Sequence, residues 1–266
     1  MTGLHTTLLG DSGPRIVFCH GLFGQGRNWT GVAKSLVAQG FQCLLLDLPN
    51  HGRSPWTDHF SYSGTAALVA EELDRLGSAD SGTTVVGHSL GGKVVMHLAL
   101  DRPDLVDRLV VVDMAPVRYG QVGGFSRYVA GMQAIDLTAL TDRASADAQL
   151  SAAAPDPTVR GFLLQNLRRE PGAAGAWYWQ PNLDLFAREM DRVAAWDLPA
   201  ETSPYPGPVL WIAGAESDYI RPEHAPAMRA LFPTARLVTI KHAGHWVHSE
   251  QPTVFTQVLA QFARSQ

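Results

Sequence analysis

Six stretches of the chain are nearly unbroken runs of apolar residues: RIVFCHG (15–21), FQCLLLDLP (41–49), TTVVGHS (83–89), RLVVVDMAP (108–116), PVLWIAGA (208–215) and ARLVTIKH (235–242). None alternates polar with apolar positions, which is the pattern of strands covered on both faces in a parallel sheet. Between the first four lie segments of helical periodicity at 29–39, 65–76 and 90–100; in the second, Leu68, Val69, Leu73 and Leu76 share one side. Strand and helix in alternation predict an α/β chain built on a doubly wound, mostly parallel sheet. PTVFTQVLAQF (252–262) closes the pattern, with Pro252 near a helix start and Val254, Phe255, Val258, Leu259 and Phe262 at helical spacing.

After Pro116 the alternation stops. The stretch to about residue 200 is rich in Ala, Arg, Asp and Gln, carries a Pro155-Asp156-Pro157 break and an aromatic cluster, Trp177-Tyr178-Trp179, and has no parallel-strand pattern. A structureless loop of that length does not suit a compact domain, so the segment is expected to be a helical cap over the carboxyl edge of the sheet. The expected organisation is a core domain in two parts, 1–116 and 201–266, with the cap insertion at 117–200.

Composition narrows the function classes. At 266 residues, 45% apolar, 17% charged and a formal net charge of −4, the chain falls in the ordinary globular range, and no basic excess invites nucleic acid. The start, MTGLHTTLLGDSG, lacks a basic region followed by an apolar one, and no apolar run reaches the length of a membrane span. A cytoplasmic protein is expected. Cys19 and Cys43 both fall in predicted strands, where they read as small buried hydrophobes in a reducing compartment, too few to frame disulfides.

The candidate chemistry sits at the ends of the predicted strands. Gly87-His88-Ser89-Leu90-Gly91 places a serine in a Gly-x-Ser-x-Gly turn between strand and helix, where the hydroxyl is held above the sheet at strained backbone angles and small flanking residues avoid clashes. Taken alone, this could be a small-residue turn; the strand-turn-helix context makes Ser89 the candidate nucleophile. Lys93, next along the helix, is expected to be solvated. His20-Gly21-Leu22-Phe23-Gly24 follows the first strong strand, where a backbone N–H facing an oxyanion is needed; Leu22 and Leu90 are the candidate donors, with Phe23 as fallback for the first.

Three histidines follow the last strand: His242, His245 and His248. No carboxylate or cysteine pattern accompanies them, so no metal is expected. His245 is the candidate general base, because Gly244 lets the loop turn back toward the serine; His242 and His248 read as surface or packing residues. The acid that orients the imidazole comes from Asp218 or Asp113. Asp218 follows the strand before the histidine's strand and is favoured by that position, while Asp113 ends the strand after the serine's; Glu216 is a weaker third.

With HGLFG, DLPNHGRSP, GHSLGGK, VVDMAPV, GAESDYI and HAGHWVHSE in this order, the chain resembles the α/β-hydrolase superfamily over essentially its whole length. It is most similar to small bacterial acyl-ester hydrolases related to mitochondrial abhydrolase-domain proteins. The resemblance implies the α/β-hydrolase fold and a cofactor-free esterase or thioesterase acting on small acyl substrates. It also implies that Asn50-His51-Gly52-Arg53-Ser54 shapes a loop and moves no proton. Several such relatives lack an aspartate at the position of Asp218 and rely on the one matching Asp113, so the acid stays open between the two. Phe23, Trp177 and Trp179 are the expected substrate-contacting residues. Phe162, Tyr178 and Phe186 are further aromatics of the insertion, and Arg168-Arg169 is a charge pair that could meet an anionic group or simply be solvated. The expected partner is a small acyl ester or thioester, with a second copy of the chain as the one protein partner in view. Lactonase, carbon–carbon bond hydrolase or perhydrolase chemistry would use the same triad, and a receptor on a hydrolase scaffold is the non-enzymatic alternative.

Overall fold

In the computed structural model, which describes residues 3–77, 82–120, 123–170, 175–199 and 201–265, neighbouring residues of each central strand enter different cores. The strands are β1 (Thr6–Leu9), β2 (Arg15–Cys19), β3 (Gln42–Leu46), β4 (Thr83–His88), β5 (Arg108–Val112), β8 (Val209–Gly214) and β9 (Arg236–Ile240). Val17, Val85, Leu109, Val111 and Trp211 belong to one buried cluster, and Ile16, Phe18, Val86, Val110 and Ile212 to the other. This is the physical reason for the unbroken apolar runs of β2, β3, β4, β5 and β8: both faces of the sheet are covered there, so both parities must be apolar. The edge strand β9 departs from the expectation of two covered faces, with Ile240 buried and Val238 partly buried while Leu237 and Thr239 are exposed. The sheet has the order β1-β3-β2-β4-β5-β8-β9. Its strands pair in parallel except β1, which runs antiparallel to β3. The four-residue edge strand β1, with a half-exposed Leu8, carries too little pattern to be read from the sequence.

The helices α1 (Thr30–Val37) and α8 (Pro252–Arg264) cover one face, and α2 (Tyr62–Leu76) and α3 (Leu90–Asp101) cover the other. Local rules set the helix ends. Ser61 Oγ accepts from the N–H of Gly64 at 3.0 Å to cap α2, and Gly77 at φ 73° ends it.

The segment between β5 and β8 contributes α4 (Gly123–Gln133), α5 (Arg143–Leu150), α6 (Pro157–Leu164) and α7 (Leu183–Ala194). It also holds what periodicity did not suggest, a two-stranded antiparallel sheet of β6 (Leu167–Arg169) and β7 (Trp177–Trp179). The boundary expected at residue 200 falls outside the described residues. The segment is fastened to loops at the carboxyl ends of β2 and β3: Asn166 Nδ2 donates to the Phe23 carbonyl at 2.7 Å, and Asn182 N and Gln180 Nε2 donate to the carbonyls of Asn50 and Gly52 at 3.0 and 3.2 Å. Cys19 and Cys43 are buried free thiols, pushed up to about 12 by burial.

Candidate active site

Ser89 joins β4 to α3 with φ 53° and ψ −120°, a left-handed conformation that a non-glycine residue holds only when its surroundings impose it. The surroundings do so. A methyl group on Gly87 would stand 2.2 Å from the Gly91 carbonyl oxygen, and one on Gly91 would stand 2.4 Å from that of His20, so both glycines are required by close backbone approach. The Ser89 N–H donates to the Val112 carbonyl at 3.2 Å, which fixes the turn to the end of β5. The Leu22 and Leu90 N–H groups take no acceptor among the described residues. Leu22 and Ser89 line the same two cavities, one of about 40 Å³ and one of about 540 Å³.

His245 lies in the loop after β9. Its Nδ1–H donates to Asp113 Oδ2 at 2.7 Å, which leaves Nε2 as the unprotonated nitrogen. Asp113 has no solvent exposure; its Oδ1 accepts from Gly214 N at 3.2 Å, and its Oδ2 also accepts from the Ser217 hydroxyl. Asp218, favoured by strand position, forms no hydrogen bond or ion pair with His245 among the described residues; its carbonyl receives Arg221 Nε at 3.0 Å and it lines the larger cavity. The reason is geometric. Asp113 takes φ 50° directly after β5, between the ends of β4 and β8, and so turns its carboxylate under the imidazole. Glu216 instead faces the exposed His242 at 3.9 Å.

The loop reaches this position for a reason other than the one the sequence suggested. Gly244 has no positive φ, and a methyl group there would meet nothing closer than 3.5 Å. The tight approach is at Gly214, where a methyl group would stand 2.1 Å from the Gly244 carbonyl oxygen; the left-handed turn is taken by His242 at φ 57°. The Tyr219 ring stacks on the imidazole at 3.9 Å, and His88 Nε2–H donates to the His245 carbonyl at 2.8 Å. Ser217, Tyr219 and Gly214 are supporting residues that motif reading missed, although Ser217 and Tyr219 flank Asp218 in the same GAESDYI segment.

The other nearby imidazoles are held neutral. Burial pushes His20 down to about 4; burial and then the neighbouring His20 push His51 down to about 3. Burial, followed by His245, pushes His248 down to about 3 and holds His88 well below its usual value. His248 stacks on Trp29 at 4.1 Å, and His20 accepts from the Leu48 N–H at 3.0 Å while donating to the Gly21 carbonyl at 2.8 Å. His20, His88 and His248 also line the smaller cavity at Ser89.

Lys93 is not the solvated residue its helical position suggested. Its side chain is buried, its Nζ donates to the carbonyls of Ala194 and Ala195 at 2.9 and 2.7 Å, and it lies over the rings of Tyr62 and Tyr119. Burial, then Arg118, lower it to about 7. It lines the larger cavity beside Ser89.

The expected substrate-contacting aromatics are redistributed. Trp177 and Trp179 form β7 and line neither cavity at Ser89; Trp179 Nε1 donates to the Met132 carbonyl at 3.1 Å. Phe23 lines neither, being buried against Phe125 and Phe186 at φ 60°. Phe125 of α4 lines both, and Phe162 of α6 lines the smaller. Among the described residues no cluster of His, Cys, Asp or Glu suits a metal ion, and no helix is long and apolar enough to cross a membrane.

A family model described as the alpha/beta hydrolase fold matches residues 14–252. The chain is 39% identical over 254 residues to the sn-1-specific diacylglycerol lipase ABHD11 of Mus musculus, covering 94% of this chain and 80% of that protein. It is 31% identical over 248 residues to the esterase YbfF of Escherichia coli, covering 93% and 92%. Among solved structures, a marine microorganism esterase superposes with a TM-score of 0.92 at 33% identity, covering 98% of this chain and 99% of that one.

Proposed function

The chain belongs to the α/β-hydrolase family, and on that premise we propose that it hydrolyses carboxylic esters or thioesters of small acyl substrates through an acyl-enzyme on Ser89. His245 Nε2 takes the Ser89 proton as the hydroxyl attacks the carbonyl carbon, and Asp113 holds the imidazole and stabilises its protonated form. The Leu22 and Leu90 N–H groups receive the oxyanion, each such donor being worth about 3 kcal/mol of transition-state stabilisation. The protonated imidazole then releases the leaving group, and water deprotonated by His245 cleaves the acyl-enzyme. The observation that carries this reading is the 2.7 Å contact from His245 Nδ1 to the buried Asp113, in a loop that lines the same cavity as a strained Ser89.

The two cavities divide the work. The larger, about 540 Å³ and reached by Phe125, Met114 and Val193, suits the acyl group or the leaving group. The smaller, about 40 Å³ between Gly21, Leu22, Ser89 and His245, has room for the hydrolytic water. The segment 117–200 acts as a cap that sets substrate choice, since α4, α6 and α7 supply cavity walls.

The experiment is labelling with a serine-reactive fluorophosphonate, alongside turnover of p-nitrophenyl acetate and butyrate. Wild type is labelled and turns over; Ser89→Ala does neither. Equal labelling of the two proteins would refute the assignment of the nucleophile, and labelling without turnover would favour a receptor.

A further inference from the structure

Three arginines from three separate segments converge on a cavity that shares no lining residue with those at Ser89. Arg27 follows the loop after β2, Arg53 lies in the loop after β3, and Arg168 is in β6. Together they line a space of about 550 Å³. None of the three forms an ion pair among the described residues. The carboxylate in the cavity wall, Asp47, is occupied by backbone: Oδ1 accepts from Gly26 N at 2.7 Å and Oδ2 from Arg53 N at 2.9 Å. In a chain of net charge −4, this cavity gathers three guanidinium groups against the single carboxylate of Asp47.

The guanidinium groups are also only partly used. Arg27 donates to the Gln165 carbonyl at 2.9 Å, and Arg168 donates from Nε to Gln180 Oε1 at 2.7 Å and from Nη2 to Gln25 Oε1 at 3.5 Å, while the Arg53 side chain bonds no described residue. Each keeps free N–H groups. Burial, then Arg143 and Arg53, hold Arg27 below the usual arginine value against the pull of Asp47; burial, then Arg27 and Arg143, do the same to Arg168. Mutual repulsion of this kind is relieved by an anion that accepts from several forks at once, and phosphate oxygens match the guanidinium fork in geometry and charge. The exposed Tyr178 ring at the cavity wall offers a face for whatever carries the phosphate.

We propose that the cavity lined by Arg27, Arg53 and Arg168 binds a phosphate-bearing small molecule at a site separate from Ser89. The charge pair read from the sequence at Arg168-Arg169 thereby divides: Arg168 turns into this cavity, while Arg169 donates to the Gly175 carbonyl and lies over the Trp177 ring.

The test is calorimetric titration of the full-length protein with pyrophosphate at an ionic strength held by sodium chloride. Wild type binds saturably, and Arg27→Gln and Arg53→Gln each weaken binding about tenfold or more, with p-nitrophenyl acetate turnover unchanged. Should Arg27→Gln fail to fold, Arg53→Gln carries the test alone. Absence of saturable binding by wild type at millimolar pyrophosphate, or an unchanged affinity in Arg53→Gln, overturns the proposal. Citrate binding as tightly as pyrophosphate overturns the assignment of phosphate.

Discussion

His245 donates from Nδ1 across 2.7 Å to Asp113, a carboxylate with no solvent exposure, and Asp218 on the next strand's loop takes no part in that contact. Asp113→Asn would replace an acceptor by a group that cannot accept in the same way and would favour the wrong imidazole tautomer. Its kcat/KM on p-nitrophenyl butyrate is expected to fall about 10³- to 10⁴-fold, with Asp218→Asn retaining most of the wild-type value. Comparable losses in both variants would remove Asp113 from its assigned role.

The approach of β8 to the histidine loop makes Gly214 and Gly244 unequal. Gly214→Ala sets a methyl group 2.1 Å from the Gly244 carbonyl oxygen, so the loop must move and carry His245 with it. A displacement of about 1 Å costs on the order of 100-fold in turnover. Gly244→Ala meets only the Glu250 carboxylate at 3.5 Å and is expected to stay near wild type. Kinetics of both variants, after circular dichroism has verified their folds, decide the point; the reverse order of losses would contradict it.

Lys93 makes an alkaline prediction. Its amine is lowered to about 7 in the folded chain, so between that value and its ordinary 10.5 the unfolded chain binds the extra proton, and stability rises with pH across this window. Lys93→Met removes this slope and leaves the Ala194 and Ala195 carbonyls without their donor, at about 1–3 kcal/mol for each buried acceptor. Urea unfolding of both proteins at pH 7.5, 8.5 and 9.5 should show the gap between them widening with pH. A constant gap would mean that Lys93 stays charged in the fold.

The buried histidines act at the acid end. His20 and His97 are lowered to about 4, His51 and His248 to about 3, each by burial first, and His88 is also well below 6.5. As pH falls through 6.5 the unfolded chain takes up these protons and the folded chain does not, so the stability present above 6.5 is lost toward pH 4. Each such histidine costs about 1.4 kcal/mol per pH unit, and several together exhaust the stability of an ordinary domain by about pH 5. A urea midpoint unchanged from pH 7.5 to 5.5 would rule this out.

Much of this architecture was legible because double coverage of the sheet writes itself into the chain. The inner parallel strands announced themselves by unbroken apolar runs, whereas the run at β9 proved to be a half-exposed edge strand, and Ser89 announced itself by glycines that backbone crowding demands. What stayed hidden depends on partners distant in sequence. Lys93 looks like any helical lysine until α7 delivers two carbonyls to it, and nothing local distinguishes Asp113 from Asp218, since the choice is made by which strand end turns under the imidazole. The β6/β7 pair escaped because three-residue strands are too short for a period of two to register. Trp177 and Trp179 read as pocket aromatics, and they lie in β7, outside the lining of both cavities at Ser89.

Asn166 grips the Phe23 carbonyl and accepts from Gln25 Nε2 at 2.5 Å, fastening the residues beside Leu22 from a point 143 positions further along the chain. The insertion is therefore no interchangeable lid. On the proposed mechanism, a graft from a relative with different substrate taste would have to bring an amide to this same spot, or the loop that carries the proposed oxyanion donor Leu22 would lose its anchor along with the old specificity; selection on what the enzyme accepts and selection on how fast it reacts would meet in one side chain.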